Sequence, residues 1–202
     1  SQTHMHEVLG LFASMSCKEE SVAQGFNKNT GHGAGLYANA PRTPAVQRAV
    51  DVMIATGKAW AVDHAALKVA GRLVVENTQH TALAKDPAFT AVFGTGVTTP
   101  GCAYGLESGK GYRFFSVPPL SQEEWGLRTV QDCPVCKVGG QHSKAFCPAR
   151  GSSRQRVAAS GEGTTDAARN RMPAELSGHV ARVMVRAWQR DKAAMVLGKS
   201  ER

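Results

Sequence analysis

Residues 43–77 read TPAVQRAVDVMIATGKAWAVDHAALKVAGRLVVEN, and this stretch decides the fold class. Thr43 is a residue type that accepts the orphan amide bonds of a helix N-terminus, and Pro44 at the first helical position loses nothing by lacking its N–H. Val46, Val50, Met53 and Ile54 then recur at helical spacing. Gly57 either ends that helix or weakens it. A second run carries Trp60, Ala61, Leu67, Ala70, Leu73 and Val74, with Asp63 and Lys68 on other faces, and fades at Asn77. The pattern predicts two alanine-rich helices joined at Gly57, with a close-packed hairpin or one long kinked helix as variants.

Toward the N-terminus, Val8, Leu9, Leu11 and Phe12 give residues 3–14 the apolar side of a short helix. The following GFNKNTGHGAGLYANAPRT, residues 25–43, is loop chemistry by its Gly, Asn and Pro content. Toward the C-terminus, residues 87–130 change character. Phe89, Val92 and Phe93 precede repeated Gly, Thr and Pro; Tyr112, Phe114, Phe115 and Val117 then form an aromatic and β-branched run ended by Pro118-Pro119. Two or three short strands are expected there. Residues 151–170, GSSRQRVAASGEGTTDAARN, read as a basic linker. A last helix begins near Pro173 and runs to about Leu197, with Leu176, Val180, Val183, Met184, Ala187 and Trp188 on one stripe. The expected fold is therefore mainly α or α+β: an alanine-rich helical body with short extended segments and a basic C-terminal helix.

The charge is not spread evenly. Residues 1–132 hold 11 basic and 11 acidic side chains, residues 133–202 hold 13 and 5, and so the entire net charge of +8 follows residue 132. That boundary suggests a neutral folding body (1–132), a cysteine-rich loop (133–150), a basic linker (151–172) and a basic amphipathic helix (173–202). With 42% hydrophobic residues the chain can bury a core, which excludes full disorder. No run approaches about 18 consecutive apolar residues, so no transmembrane helix is expected. Residues 1–11 lack the basic and apolar regions of a secretory signal. A start at Ser1 rather than Met is compatible with a processed organellar protein. Five cysteines, an odd number, suit a reducing intracellular compartment, the mitochondrial matrix among them, better than a disulfide scaffold.

Three of the five lie in residues 133–148, CPVCKVGGQHSKAFCP. Cys133 and Cys136 form a C-x2-C turn, and His142 and Cys147 complete C-x2-C-x5-H-x4-C. Three soft sulfurs and one imidazole are the closed tetrahedral set that a structural Zn2+ prefers. Gly139-Gly140 lets the backbone fold tightly around an ion. A redox C-x-x-C sits at a helix start after a strand, whereas Pro134 and the glycine pair speak against a helix here. A closed site also leaves no position for catalytic water.

This segment resembles the CCHC zinc knuckle of retroviral nucleocapsid and cellular RNA-binding proteins, whose usual spacing is C-x2-C-x4-H-x4-C. The glycines before His142, the aromatic Phe146 and the closing Cys147-Pro148 carry the resemblance over about 16 residues; one extra residue stands between Cys136 and His142. A weaker similarity is to the zinc ribbon of a bacterial-type large-subunit ribosomal protein, with Arg150 where its fourth cysteine would stand. The knuckle resemblance implies RNA as a partner. Lys137, Lys144, Arg150, Arg154 and Arg156 surround the motif, and Arg182, Arg186 and Arg190, four apart, form a ridge on the last helix. Phosphate backbones are the commonest partners of such a field, and Phe146 is placed to stack on an unpaired base.

Other features carry less. Gly31-His32-Gly33-Ala34-Gly35 follows no apolar strand and is not a dinucleotide loop. Residues 105–111, GLESGKG, are one residue short of a phosphate loop. Cys102 in TPGCAYG, with His64, His80 or His142 as base, would make a cysteine hydrolase or thiol oxidoreductase, but a packing role is the simpler reading. His4, His6 and Cys17 have no metal or catalytic context. The sequence thus points to a non-enzymatic zinc-binding component of an RNA–protein assembly, such as an organellar ribosomal protein. The alternative is a zinc-stapled accessory subunit of a multisubunit complex such as a respiratory one. No small-molecule substrate is expected under either.

Overall fold

A computed structural model describes residues 9–15, 19–20, 34–66, 68–106, 110–139 and 172–200. The fold is α+β. Four strands, β1 (Gly10–Ser14), β2 (Arg72–Thr78), β3 (Val97–Pro100) and β4 (Gly111–Val117), form one sheet in the order β1-β2-β4-β3. β1 runs parallel to β2, while β4 is antiparallel to both β2 and β3. The helices are α1 (Pro44–Ala65), α2 (Pro87–Phe93), α3 (Gln122–Trp125), α4 (Pro134–Lys137) and α5 (Ala174–Ser200). Short 3-10 turns occupy Leu36–Ala38, Ala82–Lys85, Gly101–Tyr104 and Val130–Asp132.

The sheet is buried on both faces. Leu73 and Val75 of β2 and Phe115 and Val117 of β4 meet Val50 and Trp60 of α1 and Phe89 and Phe93 of α2. Val74, Tyr112 and Phe114 point the other way, onto Trp125 of α3 and Leu176, Val180, Val183 and Ala187 of α5. The stripe read from the sequence on the last helix is thus core, and α5, within the segment set apart by charge, closes the second face of the body.

Helix α1 is continuous through Gly57 and ends at Ala65, so the break at Gly57, the helical hairpin and the one long helix to Asn77 are all corrected. Pro44 occupies the first turn and Thr43 stands at the N-cap, but its side chain makes no capping bond. Its N–H and Oγ1 donate instead to the Glu19 carboxylate, at 2.8 and 2.7 Å. Where a second helix was expected, α1 stops and β2 begins. Gly71 marks the change with φ +80, and a Cβ there would lie 2.2 Å from the Leu9 carbonyl oxygen. Beyond it Leu73, Val74 and Val75 are fully buried, and a strand packed on both faces carries a continuous apolar run that periodicity alone does not separate from helix. Residues 10–14, expected to be helical, are the edge strand β1. Residues 3–8 of that expectation, and the linker at 151–170, lie outside the described residues.

Between the sheet's apolar run and β3, Asp86-Pro87 starts α2: the Asp86 carboxylate accepts from the Ala88 and Phe89 amides at 3.0 and 3.1 Å. Arg42 ties this corner to the N-terminal part through Glu20 (2.5 Å) and Asp86 (2.6 Å).

Candidate metal centre

Leaving the sheet at Pro100, the chain makes the 3-10 turn Gly101–Tyr104, held to the sheet end by the Gly101 amide on the Lys110 carbonyl at 2.7 Å. Cys102 lies on this turn and is buried. The second arm starts after α3. Thr129 and Asp132 form a reciprocal capping box around Val130–Asp132, and that turn delivers Cys133. Cys133 is the N-cap of α4, with Pro134 in its first turn, and the Lys137 amide donates to the Cys133 carbonyl at 2.9 Å. The expectation that Pro134 opposes a helix is therefore corrected: at N1 it has no intrahelical bond to lose. Cys136 falls one turn on and faces the same point.

Arg128 locks the two arms together. Its amide donates to the Tyr104 hydroxyl at 2.9 Å, its guanidinium donates to the Ala103 carbonyl at 2.9 Å, and the same guanidinium pairs with Glu175 of α5 at 2.5 Å. Tyr104 packs edge-on against His179 of α5, whose Nε2 lies 2.8 Å from the Trp125 carbonyl.

This scaffold brings Cys102, Cys133 and Cys136 together, with their three sulfurs within 4.8 Å of one another. Cys102 Sγ and Cys136 Sγ are 3.9 Å apart, although 34 residues separate them in the chain. None of the three is in a disulfide. Three thiolates about 2.3 Å from one tetrahedral ion stand about 3.8 Å apart, so the spacing suits a metal and is far too long for an S–S bond. The cluster can hold a metal ion.

The electrostatics agree. Burial pushes the Cys102 thiol up to about 12, reinforced by hydrogen bonding and charge from Cys133 and Cys136. Cys133 is shifted the other way, chiefly by the backbone amide of Cys136, joined by that of Val135. The Cys102 thiol thus resists ionisation when no cation is near. A bound ion reverses that balance, because a coordinated thiol is deprotonated by the metal itself.

Of the expected ligands, Cys133 and Cys136 are in the cluster, whereas His142 and Cys147 lie outside the described residues, as do Lys144, Phe146, Arg150, Arg154 and Arg156. Cys102, read from the sequence as packing, joins the centre. The signal was there: TPGCAYG has the same Gly/Pro turn context as the C-x2-C, though no local spacing links them. His64, once a candidate base for Cys102, places Nε2 2.9 Å from Asp191 instead.

No family model, curated protein or solved structure matches this chain.

Among the basic residues, Lys137 is exposed at the end of α4, and Arg182, Arg186 and Arg190 are exposed on α5. Arg190 is bound to Glu124 at 2.5 Å. Arg182 and Arg186 make no ion pair among the described residues. No helix is long and apolar enough to cross a membrane among those residues.

Proposed function

We propose that this chain is a non-enzymatic, zinc-stapled component of an RNA–protein assembly. The convergence of Cys102, Cys133 and Cys136 carries the reading. An all-sulfur set with no carboxylate selects a soft or borderline ion such as Zn2+ over Mg2+ or Ca2+. The fourth ligand is His142 or Cys147, six and eleven residues beyond Cys136. Six extended residues reach about 20 Å, enough to turn back to the cluster. The ion ties the turn after β3 to α4, and through Arg128 and Tyr104 to α5. Three thiols without a disulfide fit a reducing intracellular compartment, the mitochondrial matrix included.

Support for the RNA partner is a set of exposed cations: Lys137 on α4, next to Cys136, and Arg182 and Arg186 on α5, the helix that contacts the Cys102 turn. Each phosphate so neutralised releases a counterion and steepens the salt dependence. A second reading, an accessory subunit of a protein complex, is favoured by Leu9, Leu11 and Phe12, which are about half exposed at the β1 edge of the sheet.

Metal analysis of the purified chain is the first test: about one zinc per chain is expected, lost in Cys102→Ser, Cys133→Ser and Cys136→Ser. Of His142→Ala and Cys147→Ser, the one that loses the metal names the fourth ligand. Metal retained in Cys102→Ser sinks the three-cysteine centre. For the partner, the chain is purified from its source at low salt. RNA that co-purifies, dissociates steeply with salt and is lost in Arg182→Glu/Arg186→Glu supports the first reading; a salt-resistant protein complex supports the second.

A further inference from the structure

Glu76 is misplaced as a packing residue. On β2 it shares a face with Val74, and its neighbours across the sheet are Ser14 of β1 and Phe114 of β4. That face otherwise receives the apolar stripe of α5. A valine would fill the position with no desolvation cost, whereas an ionised carboxylate buried there costs several kcal/mol unless compensated. Glu76 is 9% exposed, and Ser14 Oγ donates to its Oε2 at 2.5 Å. Burial pushes the carboxyl up, opposed by the Ser14 bond and by the charge of Lys110.

Beside this carboxyl a cavity of about 350 Å3 opens between β1 and α5. Phe12, Ser14 and Glu76 form the sheet side, and Met172, Ser177, Val180, Ala181 and Met184 complete it. The size is at the small end of ligand pockets, about 300–1,000 Å3. Among the described residues of the lining, Glu76 is the single ionisable group and none is a cation. Lys110, the charge Glu76 senses, stacks on the Tyr112 ring at 4.8 Å and is not part of the wall. A carboxylate at the base of a thioether- and phenyl-lined cavity complements one chemistry: an ammonium on a short apolar body. Methionine sulfurs contact aromatic rings favourably, which selects an aryl group for that body.

We propose that the Glu76 cavity is a binding site for a small arylalkylamine, its ammonium paired with the Glu76 carboxylate and its ring against Phe12, Met172 and Met184. The site is independent of the cysteine centre and of the RNA reading, and it stands or falls separately from them.

Phenethylamine titrated into the full chain and followed by calorimetry is the test, with the neutral phenylethyl alcohol as comparison. Saturable binding of the amine is expected, with the alcohol weaker by about tenfold or more, the factor that about 1.4 kcal/mol of charge-assisted bonding supplies. Glu76→Gln should weaken the amine by the same factor and leave the alcohol unchanged. Ala181→Phe, from the exposed side of α5, should fill the cavity and abolish binding of both while the helix content stays native. Absence of saturable amine binding, equal affinity for amine and alcohol, or undiminished amine binding in folded Ala181→Phe overturns the proposal.

Discussion

Asp191 of α5 accepts a hydrogen bond from the Arg72 guanidinium at the head of β2. The same carboxylate accepts from the Gly71 amide at 3.0 Å and lies 2.9 Å from His64 Nε2 of α1. One acid thus joins the helix on one face of the sheet, the strand, and the helix on the other face. Arg72 is 5% exposed and its Nε has no partner among the described residues, so the guanidinium relies on Asp191.

Asp191→Asn should therefore destabilise the fold by about 3 kcal/mol, the low end for breaking a buried ion pair, since His64 keeps that end of the cluster part-exposed. Burial pushes the Asp191 carboxyl up, but hydrogen bonds from His64 and Arg72, with their charges, outweigh it and hold the group below its ordinary value. A lowered folded pKa contributes stability that is present above the unfolded value of about 3.9 and lost as pH falls through the folded one. Urea unfolding of the two proteins should differ most near neutral pH and converge in strong acid. A gap that widens on acidification contradicts the assignment.

Glu76 has the opposite sign. Its folded pKa is raised, so its favourable contribution is complete below the unfolded value of about 4.3 and fades as pH rises through the folded value. Glu76→Gln removes the ionisation while keeping an acceptor for Ser14. The variant should gain on the parent protein as pH rises from about 4 toward neutrality, read as a growing Tm difference; a constant difference would place the carboxyl in water.

Gly57 tests close packing between α1 and α2. Alanine gains up to about 1 kcal/mol of helix propensity over glycine in a helix interior. Yet a Cβ at this position would stand 2.7 Å from Val92 Cγ1 and 2.8 Å from Phe93 Cζ, and the Phe93 ring is buried against Phe89. Overpacking costs about 1–3 kcal/mol. Gly57→Ala should lower the denaturant midpoint, and a rise would mean that α2 can move away freely.

Leu176 is fully buried under the sheet. If α5 belongs to the core, Leu176→Ala costs about 2–5 kcal/mol, whereas Ala174→Ser on the exposed side of the same turn changes little. Equal, small effects in thermal unfolding would make α5 an appended arm.

Periodic and capped elements were readable from the residues alone. The Pro44 start of α1, the aromatic strand β4 and the stripe of α5 each announce themselves within a few turns, whereas Phe89, Val92 and Phe93, expected among short strands, lie on the helix α2 that Asp86 caps. β2 did not, because Leu73, Val74 and Val75 are buried from both sides and show no alternation. β1 did not, because five residues of edge strand carry too little pattern to oppose a helical reading. The C-x2-C half of the cysteine cluster was legible for the reason that two sulfurs three positions apart are local. Cys102 was not, since its approach to Cys136 is set by β3, β4 and the Arg128 lock rather than by spacing. The charge boundary at residue 132 was real as composition, but composition does not report that the inner side of α5 is apolar and its outer side basic.

The sheet's closure has a kinetic corollary. Ser14 and Glu76 meet across 62 residues, and Arg72 and Asp191 across 119. One face of the β2–β4 ladder is covered by α1 and α2, which flank β2 in sequence, but the other waits for α5, so loop-closure entropy is spent before the contacts that repay it form. Such non-local pairing places folding in the millisecond-to-second range of mixed and β-rich topologies rather than the microseconds of helical bundles. Until α5 docks, the Val74, Tyr112 and Phe114 surface stands open to any other chain. An assembly partner, or an ion if one is held at Cys102, Cys133 and Cys136, would act first on how long that surface stays exposed.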